Sequence, residues 1–309
     1  MSLLLIAPER NLEPFKKALF RQDPDLDIDI WPDVTDRKRV TFAVTWNHPE
    51  NLLDKFPNLK AVSSFGAGVE HLTEDKSLRD DITITRLVAP ALKTQVADYV
   101  EMSCYNVMRR SADYFRQEQK KVWKVLSHSM KKDLAIGILG LGEIGANAAE
   151  RMAGNQWHVS GWSRGPKQVS GVRTFSGPEG KTPFLKETNI AVSLLPLTPE
   201  TEGILNLDLF KKLKKPAYLI NAGRGGHLVE EDLIYALDAG ILEGAVLDVF
   251  DKEPLPDNHP FWNRPAVTIT PHIASKTDPE DLARLLIENY KRMLSGLELQ
   301  FTVDRTRGY

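Results

Sequence analysis

Three charged residues in this chain have types and settings that could do chemistry together. Arg224 lies in Asn221-Ala222-Gly223-Arg224-Gly225, Glu253 in Leu247-Asp248-Val249-Phe250-Asp251-Lys252-Glu253-Pro254, and His272 in Thr270-Pro271-His272. A histidine gives or takes a proton near neutral pH. A carboxylate beside it fixes its tautomer and orientation. An arginine forks onto a carboxylate or polarises a carbonyl oxygen. The set suits an anionic substrate whose oxygen gains or loses a proton. Each residue also follows an apolar run that reads as a strand: Leu219-Ile220-Asn221, Val246–Phe250 and Val267–Thr270. In doubly wound sheets the carboxyl ends of strands converge on the ligand crevice, which puts all three on one rim.

A glycine loop, Gly140-Leu141-Gly142-Glu143-Ile144-Gly145, lies upstream of all three. The pattern alone is weak, but its context is right. The buried-strand run Leu134–Leu139 precedes it, and helical spacing from Ile144 to Met152 follows. Gly140 permits the tight turn, Gly142 lets the backbone approach a pyrophosphate, and Gly145 lets helix and strand pack closely. The helix start then presents its N–H groups to the phosphates. An NAD site places an acid about 20 residues on, for the ribose hydroxyls. Residues 157–168 contain none. Ser163, Arg164 and Lys167 cluster there instead, where a 2′-phosphate would lie, which favours NADP(H) over NAD(H). With a dinucleotide present, the charged set implies hydride transfer to or from a hydroxy or oxo acid.

Gly66, Ala67 and Gly68, in Ser63-Ser64-Phe65-Gly66-Ala67-Gly68-Val69, end another strand. Small residues there expose backbone N–H groups, a second grip on a substrate carboxylate. A plain strand-to-helix turn competes with that reading. Trp46, after a strand on the same side, could wall the pocket or simply pack in the core. His48, His71, His128, His158, His227 and His259 have no comparable setting. Cys104 sits in a mainly apolar stretch and reads as a core thiol. No metal site is expected.

The 309 residues carry a formal net charge of −2, with 42% hydrophobic and 27% charged residues. That balance supports two cores and gives no nucleic-acid or anionic-membrane footprint. One cysteine excludes an intramolecular disulfide and fits a reducing compartment. The apolar start Met1–Pro8 reads as a first buried strand, and no run is long enough to span a membrane. A cytoplasmic protein is expected.

Short apolar runs alternate with helical patterns, which argues α/β with parallel sheets. Strands are expected at Leu3–Ala7, Ile28–Trp31, Phe42–Trp46, Ala61–Phe65 and Ile82–Arg86, with helices at Glu13–Phe20 and Pro49–Phe56. A second series has strands at Leu134–Leu139, His158–Trp162, Ile190–Leu195, Ala217–Asn221, Gly244–Val249 and Val267–Thr270. Its helices are Gln95–Val107, Gly145–Ala153 and Val229–Ala239, and a last helix spans Pro279–Leu294. The expected architecture is two doubly wound parallel-sheet domains. A Rossmann dinucleotide-binding domain, 101–274, is inserted into a flavodoxin-like substrate domain made of 1–100 and 275–309. The cleft between them is the expected active site. The segment Asn106–Leu126 is apolar residues on a charged arm, which suggests a homodimer surface on the cofactor domain.

At these residues the chain resembles the D-isomer-specific 2-hydroxyacid dehydrogenases, over nearly its whole length. The likeness covers Gly66-Ala67-Gly68-Val69, the nucleotide loop, Leu195-Pro196-Leu197-Thr198-Pro199-Glu200-Thr201, Asn221–Gly225, Ala245–Phe250 with Glu253-Pro254-Leu255-Pro256, and Thr270-Pro271-His272. Trp162-Ser163-Arg164 and the ending Val303–Tyr309 look like a branch that reduces glyoxylate and hydroxypyruvate. The resemblance implies Arg224, Glu253 and His272 as the catalytic set, NADPH as donor, and a homodimer. It also implies cofactor contacts from Pro196, Thr201, Ala222 and Asp248. One segment, Leu87–Thr94, departs from the glycine-containing stretch of the family pattern. Two other readings share the fold: dehydrogenation of another D-2-hydroxy acid or a phosphonate, and a redox-sensing binding protein. The second needs a lost catalytic residue or a docking extension, and the chain keeps the full set.

Overall fold

Ser2-Leu3-Leu4-Leu5-Ile6 shows no apolar–polar alternation, and every residue in it is buried. That is the mark of a parallel strand covered on both faces. In the computed structural model, which describes residues 1–8, 10–276 and 278–305, it is the first strand, β1 (Ser2–Ile6). The expected ending beyond Arg305 lies outside the described residues.

The chain divides into two compact units, residues 1–91 with 277–309, and 92–276. In the first, β1 is joined by β2 (Ile28–Ile30), β3 (Val40–Thr45), β4 (Ala61–Ser64) and β5 (Thr83–Arg86). All pairs are parallel and the order is β2-β1-β3-β4-β5, the flavodoxin-like arrangement. Helix α1 (Glu13–Gln22) covers one face, and a short α2 (Glu70–Thr73) follows β4.

The second unit opens with α3 (Pro90–Arg109), which begins at the division, and α4 (Ser111–Gln119). Seven parallel strands follow: β6 (Ala135–Leu139), β7 (His158–Ser163), β8 (Arg173–Ser176), β9 (Ile190–Ser193), β10 (Tyr218–Asn221), β11 (Gly244–Leu247) and β12 (Val267–Ile269). Their order is β12-β11-β10-β9-β6-β7-β8, with the reversal of strand order between β6 and β9. The helices are α5 (Glu143–Gly154), α6 (Gly177–Glu187), α7 (Leu207–Lys212) and α8 (Glu230–Asp238).

The final helix, α9 (Pro279–Leu294), belongs to the first unit. The Asp278 side chain caps it by accepting from the Glu280 N–H, and Gly296 beyond its end has φ +68°. Leu282, Ala283, Leu286, Ile287 and Tyr290 recur at helical spacing and join Phe15, Ala18 and Leu19 of α1 in one core.

The expected fold class holds, and one local reading does not. Pro49–Phe56 forms only a 3-10 turn at Leu53–Lys55, because Asn51 takes φ +56° and interrupts any helix. After Arg109 the helix does not continue unbroken. Arg110 at φ +58° breaks the chain between α3 and α4, and residues 122–130 carry no regular structure. The departing segment Leu87–Thr94 buries Leu87, Val88 and Ala89 and turns into α3 at Pro90. Among the described residues no helix is long and apolar enough to cross a membrane.

Candidate active site

Arg224 follows β10 in a turn held from both sides. The Asn221 amide bridges it, accepting from the Gly223 N–H at 3.2 Å and donating to the Arg224 carbonyl at 3.0 Å. His227, fully buried, supports the same turn. Its Nε2 lies 3.1 Å from the Pro196 carbonyl and so carries the proton, which leaves Nδ1 to accept from the Arg224 N–H at 3.2 Å. The guanidinium donates to the Gly223 carbonyl at 2.7 Å. Gly225 then lets this turn press onto the segment leading to Glu253. A Cβ there would stand 1.9 Å from the Phe250 carbonyl carbon and 2.1 Å from the Asp251 nitrogen.

Glu253 is fixed by two bonds. One carboxylate oxygen accepts from the Phe250 N–H at 3.0 Å, and the other meets His272 Nδ1 at 2.8 Å. Partial burial raises its carboxyl pKa, but the bonds from His272 and the Phe250 amide, with the charges of His272 and Arg224, outweigh that. The net result lies below the ordinary carboxylate value, so Glu253 stays ionised. His272 Nδ1–H therefore donates to Glu253, and Nε2, with no partner among the described residues, is the atom left to carry a proton outward.

The His272 backbone is left-handed, with φ +54°. Asp248, fully buried at the end of β11, holds it there. Its carbonyl accepts from the His272 N–H at 2.9 Å, and its carboxylate accepts from the Thr270 hydroxyl and from the Ile273 and Ala274 N–H groups at 2.6–2.8 Å. Behind Thr270 stands Tyr99 of α3, whose hydroxyl lies 2.7 Å from Thr270 Oγ1. Because the Thr270 proton goes to Asp248, Tyr99 is the donor to Thr270. Burial pushes the Tyr99 hydroxyl up to about 12, so that proton is retained. Tyr99→Phe is expected to lower kcat roughly fivefold, the worth of about 1 kcal/mol of lost hydrogen bonding, while the KM for NADPH holds. A rise in that KM with kcat unchanged would assign Tyr99 to cofactor binding.

The nucleotide loop has the shape a dinucleotide needs. Gly140 takes φ +101°, and a Cβ on Gly145 would meet the Gly140 carbonyl oxygen at 1.8 Å. Gly142, by contrast, faces open space, with nothing within 4 Å of a Cβ. The first intrahelical bond of α5 runs from the Ala146 N–H to the Gly142 carbonyl, so the Ile144 and Gly145 amides lie ahead of it. Leu141 is buried against Gly161 of β7, and Glu143 pairs with Lys93 of α3. These features fit a dinucleotide whose phosphates approach over Gly142.

Ser163 ends β7 and is buried, its hydroxyl donating to the Gly165 carbonyl at 2.8 Å. Arg164 and Lys167 follow it, exposed. Pro196 and Thr201 lie in the loop after β9, where the Thr201 hydroxyl donates to the Pro196 carbonyl at 2.7 Å. Ala222 follows β10 directly, its N–H 3.3 Å from the Ser193 carbonyl.

In the first unit, Trp46 follows β3 and Gly66, Ala67 and Gly68 follow β4. The Gly66 amide already donates to Ser64 Oγ at 3.3 Å. Ala67 and Gly68 are left with amides that have no partner among the described residues. None of the three has a positive φ, so the loop exposes its amides through tightness of turn and not through left-handed geometry.

Reasoning from sequence missed His227, Tyr99, Thr270 and Asn221. The nearest signal was His227, three residues after Arg224 behind two glycines.

The sequence profile of the D-isomer specific 2-hydroxyacid dehydrogenase NAD binding domain matches residues 102–274. The chain is 37% identical, over all of both chains, to glyoxylate/hydroxypyruvate reductase A of Yersinia enterocolitica and to that of Serratia proteamaculans. A D-isomer specific 2-hydroxyacid dehydrogenase from Xanthobacter autotrophicus Py2, solved with NADPH and MES, superposes with a TM-score of 0.96 at 35% identity, covering 100% of this chain and 99% of that one. The NADPH-dependent glyoxylate/hydroxypyruvate reductase of Sinorhizobium meliloti, solved with NADP and sulfate, gives 0.93 at 36% identity and full coverage of both. With this match over its whole length, and a histidine–glutamate pair beside an arginine at the strand ends, the chain belongs to the D-isomer specific 2-hydroxyacid dehydrogenases.

Proposed function

We propose that this protein reduces small 2-oxo acids, glyoxylate and hydroxypyruvate, to the 2-hydroxy acids with NADPH. The observation that carries the reading is His272, its Nδ1 bonded to Glu253 at 2.8 Å and its Nε2 clear, with the charge of Arg224 reaching the same carboxylate. The full-length relatives that bear this activity support it.

Gly140–Gly145 and the start of α5 would hold the pyrophosphate, and Ser163, Arg164 and Lys167 the 2′-phosphate. Bound NADPH supplies the hydride to the carbonyl carbon. Arg224 grips the acid and polarises the carbonyl. His272 Nε2 gives its proton to the oxygen as it becomes a hydroxyl, and Glu253 holds the ring in place throughout. Asp248 serves by fixing the loop that carries His272.

Initial rates on a 2-oxo acid panel with NADPH and NADH side by side test the reading. Arg164→Ala is expected to raise the KM for NADPH about tenfold or more, the worth of a charge-assisted bond to phosphate, and to leave NADH rates alone. Equal wild-type rates with both cofactors would sink the assignment of Arg164, Lys167 and Ser163.

A homodimer built through the second unit belongs to the same reading. Trp123 is 100% and Val125 85% exposed on the segment after α4. The same unit carries an open cavity of about 1080 Å³, lined by Met102, Phe115, Tyr218, Trp262 and Val267 among others. An exposed arm bearing apolar side chains and a hollow of mixed apolar and charged lining on one unit suit two-fold exchange between copies. Light scattering is expected to give twice the 34.8 kDa of one chain, and a single-chain mass at micromolar concentration would reject the dimer. A single cysteine, Cys104, and that one buried, suits a reducing cytoplasmic setting.

A further inference from the structure

We propose that Lys93 is a positioning residue of the dinucleotide site. It cancels the charge of Glu143 at the mouth of the phosphate loop and draws that side chain toward α3, so that a pyrophosphate can approach over Gly142. The inference rests on the dinucleotide reading of the second unit. It concerns affinity for NADPH and NADH alike, not the choice between them.

Lys93 and Glu143 both belong to the second unit. Glu143 is the first residue of α5, directly after Gly142. An acid in the first turn suits an empty helix, because it answers the positive end of the dipole. It is a poor neighbour for phosphates, which need that same pole and the same free amides. The loop therefore sets a negative charge beside the open backbone at Gly142, where a Cβ would meet nothing within 4 Å. Helix α5 has no cation of its own near that end, since its basic residue, Arg151, stands in the last turn.

The cation comes from α3. The Lys93 ammonium pairs with the Glu143 carboxylate across 50 positions of sequence. The Glu143 side chain is 54% exposed, so the pair is open to solvent on the carboxylate side. A pair so exposed contributes little to folding. Its place is nonetheless fixed from behind. Arg151 pairs with Asp98 of α3 and donates to the carbonyl of Thr94, the neighbour of Lys93, at 3.4 Å. The last turn of α5 thus grips α3 beside Lys93, while its first turn presents Glu143. An ion pair with little to give the fold, held at the phosphate approach, acts on what binds there.

The test is fluorescence titration of the purified full chain with NADPH and with NADH, without substrate, at low and at raised salt. Lys93→Met is expected to raise Kd for both cofactors by one common factor, about tenfold, the scale of one unopposed surface charge near a phosphate. Raised salt is expected to narrow that gap. Adding Glu143→Gln to Lys93→Met is expected to bring both Kd values back to within about twofold of wild type, and Lys93→Arg to keep them there. A second substitution does not repair a damaged fold, so this rescue separates charge from misfolding. Asp98→Asn breaks the other tie between the two helices, far from the loop, and is expected to leave both Kd values unchanged. Unchanged binding in Lys93→Met, a loss confined to NADPH, or a double variant as weak as Lys93→Met would each overturn the proposal. An equal loss in Asp98→Asn would do the same and reduce Lys93 to helix packing. A wild type that binds neither cofactor would overturn the dinucleotide reading along with it. Because no 2-oxo acid is present, none of these outcomes depends on which acid the protein reduces.

Discussion

His272→Asn is expected to lower kcat for 2-oxo acid reduction by roughly 10²–10⁴-fold, the usual worth of a positioned general acid, with NADPH affinity intact. Asparagine is the informative replacement because residue 272 sits at φ +54°. Asparagine enters the left-handed region readily, whereas a β-branched residue there would strain the loop and mix folding with chemistry. The backbone bonds from residues 272–274 to Asp248 do not involve the imidazole and should survive. What disappears is the proton at Nε2 and its hold on Glu253. A variant that keeps wild-type kcat would remove His272 from the mechanism. Measuring cofactor binding by NADPH fluorescence separates that outcome from collapse of the nucleotide site.

Arg224→Lys should fail almost as badly, with kcat/KM on glyoxylate down by on the order of 10²–10³-fold, the scale set by loss of one preorganised donor at a developing charge. Charge is kept, so any defect measures geometry. One guanidinium nitrogen donates to the Gly223 carbonyl at 2.7 Å, which fixes the plane of the group and aims the rest of the fork. A lysine has one ammonium and cannot both make that bond and grip a substrate carboxylate twice. Retained activity in the lysine variant would reduce Arg224 to a supplier of positive charge near Glu253.

Much of this site could be read from sequence because its parts carry local marks. A strand run, a glycine loop and a helix start lie within residues 134–152, and each of Arg224, Glu253 and His272 sits a few residues beyond its own strand. The supports could not be read that way. Tyr99 meets Thr270 across 171 positions, and nothing near Tyr99 announces it. His227 looked ordinary because its role depends on the Pro196 carbonyl, 31 residues back. Helix α6 contains two glycines and two prolines, so its composition reads as loop. It forms because Phe184 and Leu185 are buried beneath it, and packing outweighs propensity. Strand β8 is an edge strand, only partly buried, and its Arg173-Thr174-Phe175-Ser176 lacks the apolar run that marks the interior strands. The glycine loop of the first unit was read for its amides, and one of the three proves to be engaged already by Ser64.

Gly142 and Gly145, three residues apart, define two kinds of damaged gene. An alanine at 145 would drive its methyl into the Gly140 carbonyl, so the strand–helix unit would not assemble and the cell would hold little protein. An alanine at 142 meets nothing in the chain itself and sits in extended backbone, φ −75° and ψ −168°, that any residue adopts. That allele would yield a normal amount of folded, inert subunit, its methyl group occupying the space where phosphates approach. Alleles at 145 would only subtract protein, whereas alleles at 142 would leave a full complement of folded chain, so the amount of protein in the cell would tell the two apart before any enzyme was purified.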